Sequence, residues 1–259
     1  MSKGAVMNDT PLAEGADRPR LSRTHTQIVE MIGRRIVLGE YPVGSIVPRE
    51  EDLVAELLVG RGVIREAIRV LASKGLLESR SKRGTQVLPS DQWHMLDPEV
   101  LSWRSTAEID LKLLRDVADL RAMIEPAACA HAAVRAADSE VSLISALARE
   151  MKLVEGDAAT FIEVDMQFHR ALFAAAHNDL LMQIGAAIEV GLRLSREVTV
   201  SMGHGSRAEE HLEIANAIAA RSAVQAQKAM SRLLIASQSD IESVLGRGWA
   251  RDAGTPDPA

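Results

Sequence analysis

The chain has 259 residues, 47% of them hydrophobic and only 3% aromatic, which excludes a disordered chain and favours helices over sheets. A single cysteine, Cys129, excludes an internal disulfide framework, and the lack of any run of 18 apolar residues excludes a membrane span. The net charge of −6 is unevenly spread: residues 16–89 hold 13 Lys and Arg against 9 Asp and Glu, so a basic module is joined to a strongly acidic remainder.

Residues 1–22 mix Gly, Pro, Asp and Arg without period and read as a flexible tail without the apolar core of a signal peptide, so the expected location is the cytoplasm. Ile28, Met31, Ile32, Ile36 and Val37 recur at helical spacing and predict a first helix over about 25–38. A turn at 39–44 ends it. Pro48 precedes Glu50-Glu51-Asp52, an acidic run suited to the positive end of a second helix with Leu53, Leu57 and Leu58 on its buried face. A third helix is expected from Arg61 to Ser73, with Val63, Ile64, Ala67, Ile68 and Leu71 inward and Gly75 as its stop. Two extended runs, about 76–80 and 85–88, flank the basic turn Ser81-Lys82-Arg83-Gly84. Three helices followed by a two-stranded ribbon is the order of a winged helix-turn-helix, placed at 23–89.

Residues 90–104 read as a linker with a docking element, because Trp93, Leu96, Val100 and Trp103 are too apolar for solvent. From 105 to 247 everything reads as helix, near 110–136, 139–155, 158–176, 179–202, 207–220 and 222–246, with breaks at Gly156-Asp157, Asn178 and Gly203 to Gly205. The fold class expected is mostly α: a winged helix-turn-helix joined to an antiparallel helical bundle, with a second tail at 248–259. Cys129 lies in an Ala-rich helical run and is expected as a buried small hydrophobe.

Two groups of residues carry chemistry. Arg61, Arg65 and Arg69, four apart, share one face of the third helix; like charges at that spacing repel, so a polyanion is the economical partner. Arginine pairs bidentately with guanine and neutralises phosphates, Lys82 and Arg83 sit beside a glycine that lets backbone approach, and Arg49 adds a contact before the second helix. Each alone also reads as a solvated charged face. In the second group, Asp165 and His169 lie one turn apart on a helix and His211 falls on another, a set suited to a divalent metal such as zinc, nickel or manganese. The alternative is a pair of hydrogen-bonded interior histidines. Arg121 suits a carboxylate effector or an i,i+4 pair with Glu125, while Arg193 and Arg196 either line the pocket or lie on the surface; His177 and His204 fall at breaks and are expected to face solvent. No nucleophile–base arrangement or phosphate loop is visible, which argues against an enzyme.

The stretch Pro48 to Leu53, with Arg61-Gly62-Val63-Ile64-Arg65-Glu66-Ala67-Ile68, Gly75-Leu76 and Arg83-Gly84-Thr85, resembles the GntR-family DNA-binding domain. The resemblance implies a homodimer on a short palindrome of double-stranded DNA, with Arg61 and Arg65 reading guanines and Gly84 at the minor groove. Gly60 and Glu51 depart from the pattern, which often has Ser or Thr at the first position and in some members Arg at the second. Arg121 to Ala128, Asp165 to His169 and Glu210-His211 are similar to the FCD effector domain of FadR-type members. That likeness implies a metal held by Asp165, His169 and His211, with Leu233 where relatives carry one more histidine. The effector expected is a small carboxylate, with Arg121, Glu125 and Arg193 as the candidate residues that bind it. The segment Asp91 to Trp103 resembles sugar-acid regulators of the family, implying an aldonate effector and repression relieved on binding; other hydroxy acids, dicarboxylates and activation stay open.

Overall fold

The computed structural model describes residues 24–80, 82–105, 111–201 and 206–246. The tails at 1–22 and 248–259, Ser81 of the basic turn, and the break at Gly203 to Gly205 with His204 lie outside the described residues.

The first helix, α1 (His25–Val37), starts at Thr24, whose hydroxyl accepts from the Gln27 amide while the Gln27 side chain accepts from the Thr24 amide. This reciprocal cap satisfies two orphan donors. Ile28, Ile32 and Ile36 line its buried face. Helix α2 (Glu50–Leu57) carries its three acidic residues in the first turn, and α3 (Arg61–Ser73) buries Ile64, Ala67, Ile68 and Leu71. Val63 is half-buried. Leu58 departs from expectation: α2 stops at Leu57, Leu58 takes a left-handed backbone (φ +56°), and its side chain is 67% exposed. Helical periodicity cannot be extended through a residue that leaves the helix.

Strands β1 (Leu77–Arg80) and β2 (Gly84–Val87) pair antiparallel, with Arg80 opposite Gly84. Residues 44–47, expected only as turn and connection, run along the other edge of β2. The Val47 amide donates to Thr85 and the Val87 amide to Ser45, both at 2.9 Å. The wing therefore has a third, short partner that ties it to the start of α2.

Beyond the wing, the chain folds back over the end of α3. Gly75 (φ +77°) ends the helix, and a Cβ there would lie 2.2 Å from the Gln92 carbonyl, so glycine serves both the turn and the close approach. Trp93 donates its indole N–H to the Leu88 carbonyl at 2.9 Å. Leu96 departs from expectation by standing 58% exposed, in the turn before the next helix. Helix α4 (Pro98–Ser105) belongs to two cores at once. Val100 and Trp103 join the core built by α1, α2, α3 and the wing, whereas Leu101 joins Leu113, Leu114, Val117, Ala187, Leu194 and Ile241. Trp103 lies so close over Gly33 of α1 that a Cβ there would come within 2.5 Å of the ring. Lys74 holds the start of α4 through Asp97 (2.5 Å) and Glu99 (2.7 Å).

The remainder is the expected bundle: α5 (Leu111–Arg135), α6 (Asp138–Leu153), α7 (Ala158–Ala175), α8 (Asp179–Ser201), α9 (Ala208–Ala219) and α10 (Ala223–Leu245). Small residues on α5, namely Ala128, Cys129, Ala132 and Ala133, are fully buried in the main core with Phe161, Phe168 and Leu172. Burial pushes the Cys129 thiol well above its ordinary range, as an inert core residue requires. No helix among the described residues is long and apolar enough to cross a membrane.

Candidate functional site

The basic face is assembled from three elements. Arg61, Arg65 and Arg69 all project outward from α3, because the buried positions 64, 67, 68 and 71 occupy the opposite side. They do not form the bare repelling stripe expected from spacing. Arg65 Nη2 lies 3.3 Å from Glu50 of α2 and Arg69 Nη1 lies 3.2 Å from Glu66, so two of the three are neutralised locally. Arg61 has no ion pair among the described residues. Arg49, 84% exposed, is 3.8 Å from Glu51. A cleft of about 410 Å³ between wing and α2 brings Arg49, Lys82, Arg83 and Gly84 together. The wing turn is tight: Lys82 (φ +63°) and Gly84 (φ +93°) are both left-handed. Exposed ion pairs of this kind are worth little and are readily exchanged for phosphate.

The second site lies inside the bundle, where Asp165, His169 and His211 are 0–3% exposed. Each offers one ligand atom, and these atoms all lie within 4.8 Å of one another. Helix periodicity sets Asp165 and His169 on one face of α7, with His169 Nε2 3.6 Å from Asp165 Oδ1. His211 enters from α9, its Nε2 2.9 Å from the same oxygen. The other ring nitrogen, Nδ1, donates to the Arg207 carbonyl at 2.7 Å. A carbonyl only accepts, so the hydrogen sits on Nδ1 and the neutral ring points its Nε2 lone pair at the carboxylate. Burial lowers the His211 pKa, opposed by Asp165 and assisted by Arg196. Two acceptors then face each other at hydrogen-bonding distance, an arrangement a cation between them resolves.

Asp165 Oδ1, His169 Nε2 and His211 Nε2 are buried without a hydrogen-bond partner, which fits a divalent metal with nitrogen and carboxylate donors. Leu233, where the FCD resemblance leads one to expect a further histidine, is fully buried in the apolar core and supplies no ligand. Asp165 keeps its charge although burial opposes it, because Arg196, His211 and His169 hold its pKa well below the carboxylate range.

Two further layers surround the triad. Arg121 pairs with Glu125 at 2.6 Å, as the i,i+4 reading allows, and Glu125 Oε2 reaches within 3.3 Å of His169 Nδ1. Burial would raise the Glu125 pKa, but Arg121 and His169 outweigh it and bring it to about 2. On the other side Arg196 Nε donates to Asp165 Oδ2 at 2.8 Å, while its Nη2 is buried without a partner. Arg193 makes no contact with the triad among the described residues: it is 38% exposed and pairs with Glu163 at 2.5 Å. The signal separating the two arginines was present in the sequence, since Arg196 is four residues past buried Leu192, whereas Arg193 is four past Glu189 and four before Glu197. His177 is exposed as expected and contacts Glu140 at 2.8 Å.

Arg207, which sequence reasoning did not single out, steadies His211. Its backbone is left-handed (φ +54°), and its guanidinium spans to Asp240 of α10 at 2.9 and 2.7 Å. Its carbonyl is thereby fixed beneath the His211 ring.

Residues 24–87 match the family described as bacterial regulatory proteins, gntR family, and residues 116–236 match the FCD domain. The galactonate operon transcriptional repressor of Escherichia coli K12 is 32% identical over 224 residues, 84% of this chain and 96% of that protein. The chain belongs to the GntR family of DNA-binding transcriptional regulators, with an FCD domain, and is not an enzyme. The transcriptional repressor NanR of Klebsiella aerogenes is 29% identical, covering 88% of this chain and 86% of that one. Among solved structures, Lar, described as controlling the Listeria monocytogenes agr system, shares the fold with a TM-score of 0.56, 16% identity and coverage of 86% and 99%.

Proposed function

We propose that this regulator is a repressor of a sugar-acid catabolic operon, working in the cytoplasm as a homodimer on palindromic operator DNA and released by an aldonate such as galactonate. Asp165, His169 and His211 would hold a divalent cation (zinc, nickel or manganese), which supplies a Lewis-acid contact for the effector carboxylate. The observation that carries this reading is the concentration of partnerless buried polar atoms in one interior: the three ligand atoms and Arg196 Nη2. Buried polar atoms ordinarily find partners, and a convergent set without them is the mark of a binding site. A carboxylate satisfies the free edge of a guanidinium. The 32% identity to the galactonate operon repressor over 84% of this chain, against 29% to NanR, supports an aldonate.

Arg61, Arg65, Arg69, Arg49, Lys82, Arg83 and Gly84 form the operator surface in this account, with Arg61 and Arg65 as the base readers. Effector binding is reported through α8. That helix carries Arg196 on one side and Ala187 and Leu194 against α4 on another. Helix α4 in turn inserts Trp103 over α1. An effector that competes with Asp165 for Arg196 shifts α8, and α4 passes the displacement to the winged helix. To release DNA, it must bind the DNA-free arrangement more tightly.

The test is a fluorescence-anisotropy titration of an operator fragment from the gene's own upstream region with a panel of aldonates and other organic acids. Release by one aldonate is the expected result. Tight binding indifferent to every aldonate would sink the sugar-acid assignment while keeping DNA recognition.

A further inference from the structure

Both triad histidines turn the same ring nitrogen outward. His211 gives its Nδ1 hydrogen to the Arg207 carbonyl at 2.7 Å and aims Nε2 at Asp165 Oδ1, 2.9 Å away. His169 repeats the arrangement from α7: its Nε2 lies 3.6 Å from the same Asp165 oxygen, and its Nδ1 lies 3.3 Å from Glu125 Oε2 of α5. The acceptors behind the two rings differ in kind. Behind His211 is a backbone carbonyl, which every residue type carries. Behind His169 is a fully buried side chain, whose chemistry belongs to glutamate.

Glu125 is held in turn by Arg121, which is also buried. The Arg121 Nε–H donates to Glu125 Oε1 at 2.6 Å, and Nη2 stands 3.5 Å from Oε2. Taking two charges out of water is costly, and an apolar pair of similar volume often serves stability as well, so stability alone does not account for this pair. Its approach to His169 does. Both nitrogens of His169 are buried without a closed hydrogen bond, and a carboxylate faces each of them. A carboxylate only accepts, so Glu125 keeps a hydrogen on Nδ1. In the neutral ring the lone pair then sits on Nε2, on the side of Asp165.

We infer that Glu125 is a positioning residue for His169: it fixes the ring hydrogen on Nδ1 and keeps Nε2 free as a ligand atom, with Arg121 fixing Glu125. The inference rests on the metal-binding reading above, and it gives the Arg121–Glu125 pair a role apart from contact with an effector. Histidines that ligate a metal ordinarily donate their other ring hydrogen to a carboxylate or carbonyl, and that outer partner sets tautomer and ring orientation.

Glu125→Gln tests this, because the side chain keeps its shape and gains a donor. The Arg121 Nε–H needs an oxygen at its 2.6 Å contact, so the amide oxygen takes the Oε1 position and the amide nitrogen faces His169 Nδ1. Nδ1 must then accept, and the hydrogen moves to Nε2. In the double variant, Arg121→Met with Glu125→Gln, nothing holds the amide that way round, and its oxygen turns to accept from His169. The full-length proteins are compared by histidine nitrogen NMR without metal, at mildly alkaline pH, and by zinc titration calorimetry. Wild type should carry the His169 hydrogen on Nδ1. Glu125→Gln should carry it on Nε2 and bind zinc about 10- to 100-fold more weakly. The double variant should return it to Nδ1 and recover most of the affinity, which a loss of packing would not do. Unchanged operator affinity shows that the variants fold. A hydrogen on Nε2 in wild type, a measurement that needs no variant, would overturn the inference. So would Glu125→Gln matching wild type in spectrum and zinc affinity. A wild type that binds no zinc would overturn the metal reading, while the metal-free spectra still decide the part played by Glu125.

Discussion

The winged helix and the bundle use arginine in opposite ways. On the winged helix Arg65 and Arg69 stand in solvent beside Glu50 and Glu66, at 60% and 70% side-chain exposure. In the bundle Arg121 and Arg196 are 4% and 2% exposed, each held by one carboxylate. An exposed pair costs little to form and little to break, so it can be traded for a phosphate at each binding event. A buried pair costs several kcal/mol per ion in desolvation and is strongly destabilising when one partner is lost. The same side chain therefore serves a surface that must let go of its partner and, in the function proposed above, an interior that holds position until an effector arrives.

The sharpest way to break that contrast is at Asp165. Asp165→Ala leaves Arg196 buried and uncompensated, and metal-free protein should lose about 3–5 kcal/mol in urea unfolding. It should also lose saturable zinc binding. A loss below about 1 kcal/mol would mean that the interior is wetter than its burial indicates. On the surface, Arg61→Ala should weaken operator binding by about 1–3 kcal/mol and flatten the salt dependence, with no effect on thermal stability or zinc binding. Comparable losses of stability from both substitutions would erase the distinction between the two regions.

The smallest effect is expected where the regions meet. Asp97→Asn removes a partner of Lys74 and should cost about 0.5–1 kcal/mol. Burial raises the Asp97 pKa, but the Lys74 contact and backbone hydrogen bonds lower it by more, below its ordinary 3.8. Its contribution is therefore full above that value and is lost as pH falls through the lower folded-state value. An acid titration of stability should show this component in wild type and lack it in Asp97→Asn.

Much of this was legible in the amino-acid order. The apolar period gave α1, α3 and the six bundle helices to within a few residues; Asp165 and His169 share a face of α7 as their spacing implied, and His211 meets them from α9, as the family resemblance rather than spacing led one to expect. What escaped depended on long-range contact. Residues 44–47 pair with β2 through backbone groups, which leave no side-chain pattern. Leu58 and Leu96 are apolar yet exposed, because the chain leaves helical geometry at one and turns at the other. The division of α4 between two cores is invisible in an eight-residue segment with no marked amphipathic period. Arg207 acts on His211 through a backbone carbonyl and is itself held by Asp240, 33 residues away, so no local side-chain pattern marks it.

Arg193 and Arg196 place the central claim within three residues. Operator release by galactonate, measured by anisotropy on wild type, Arg193→Met and Arg196→Met, tests it most directly, with retained operator affinity confirming that each variant is folded. The account predicts that Arg193→Met releases like wild type, while Arg196→Met stays on the operator at concentrations that clear the wild type. Release of Arg196→Met at wild-type concentrations, or its retention by Arg193→Met alone, would contradict a buried arginine as the effector's receptor.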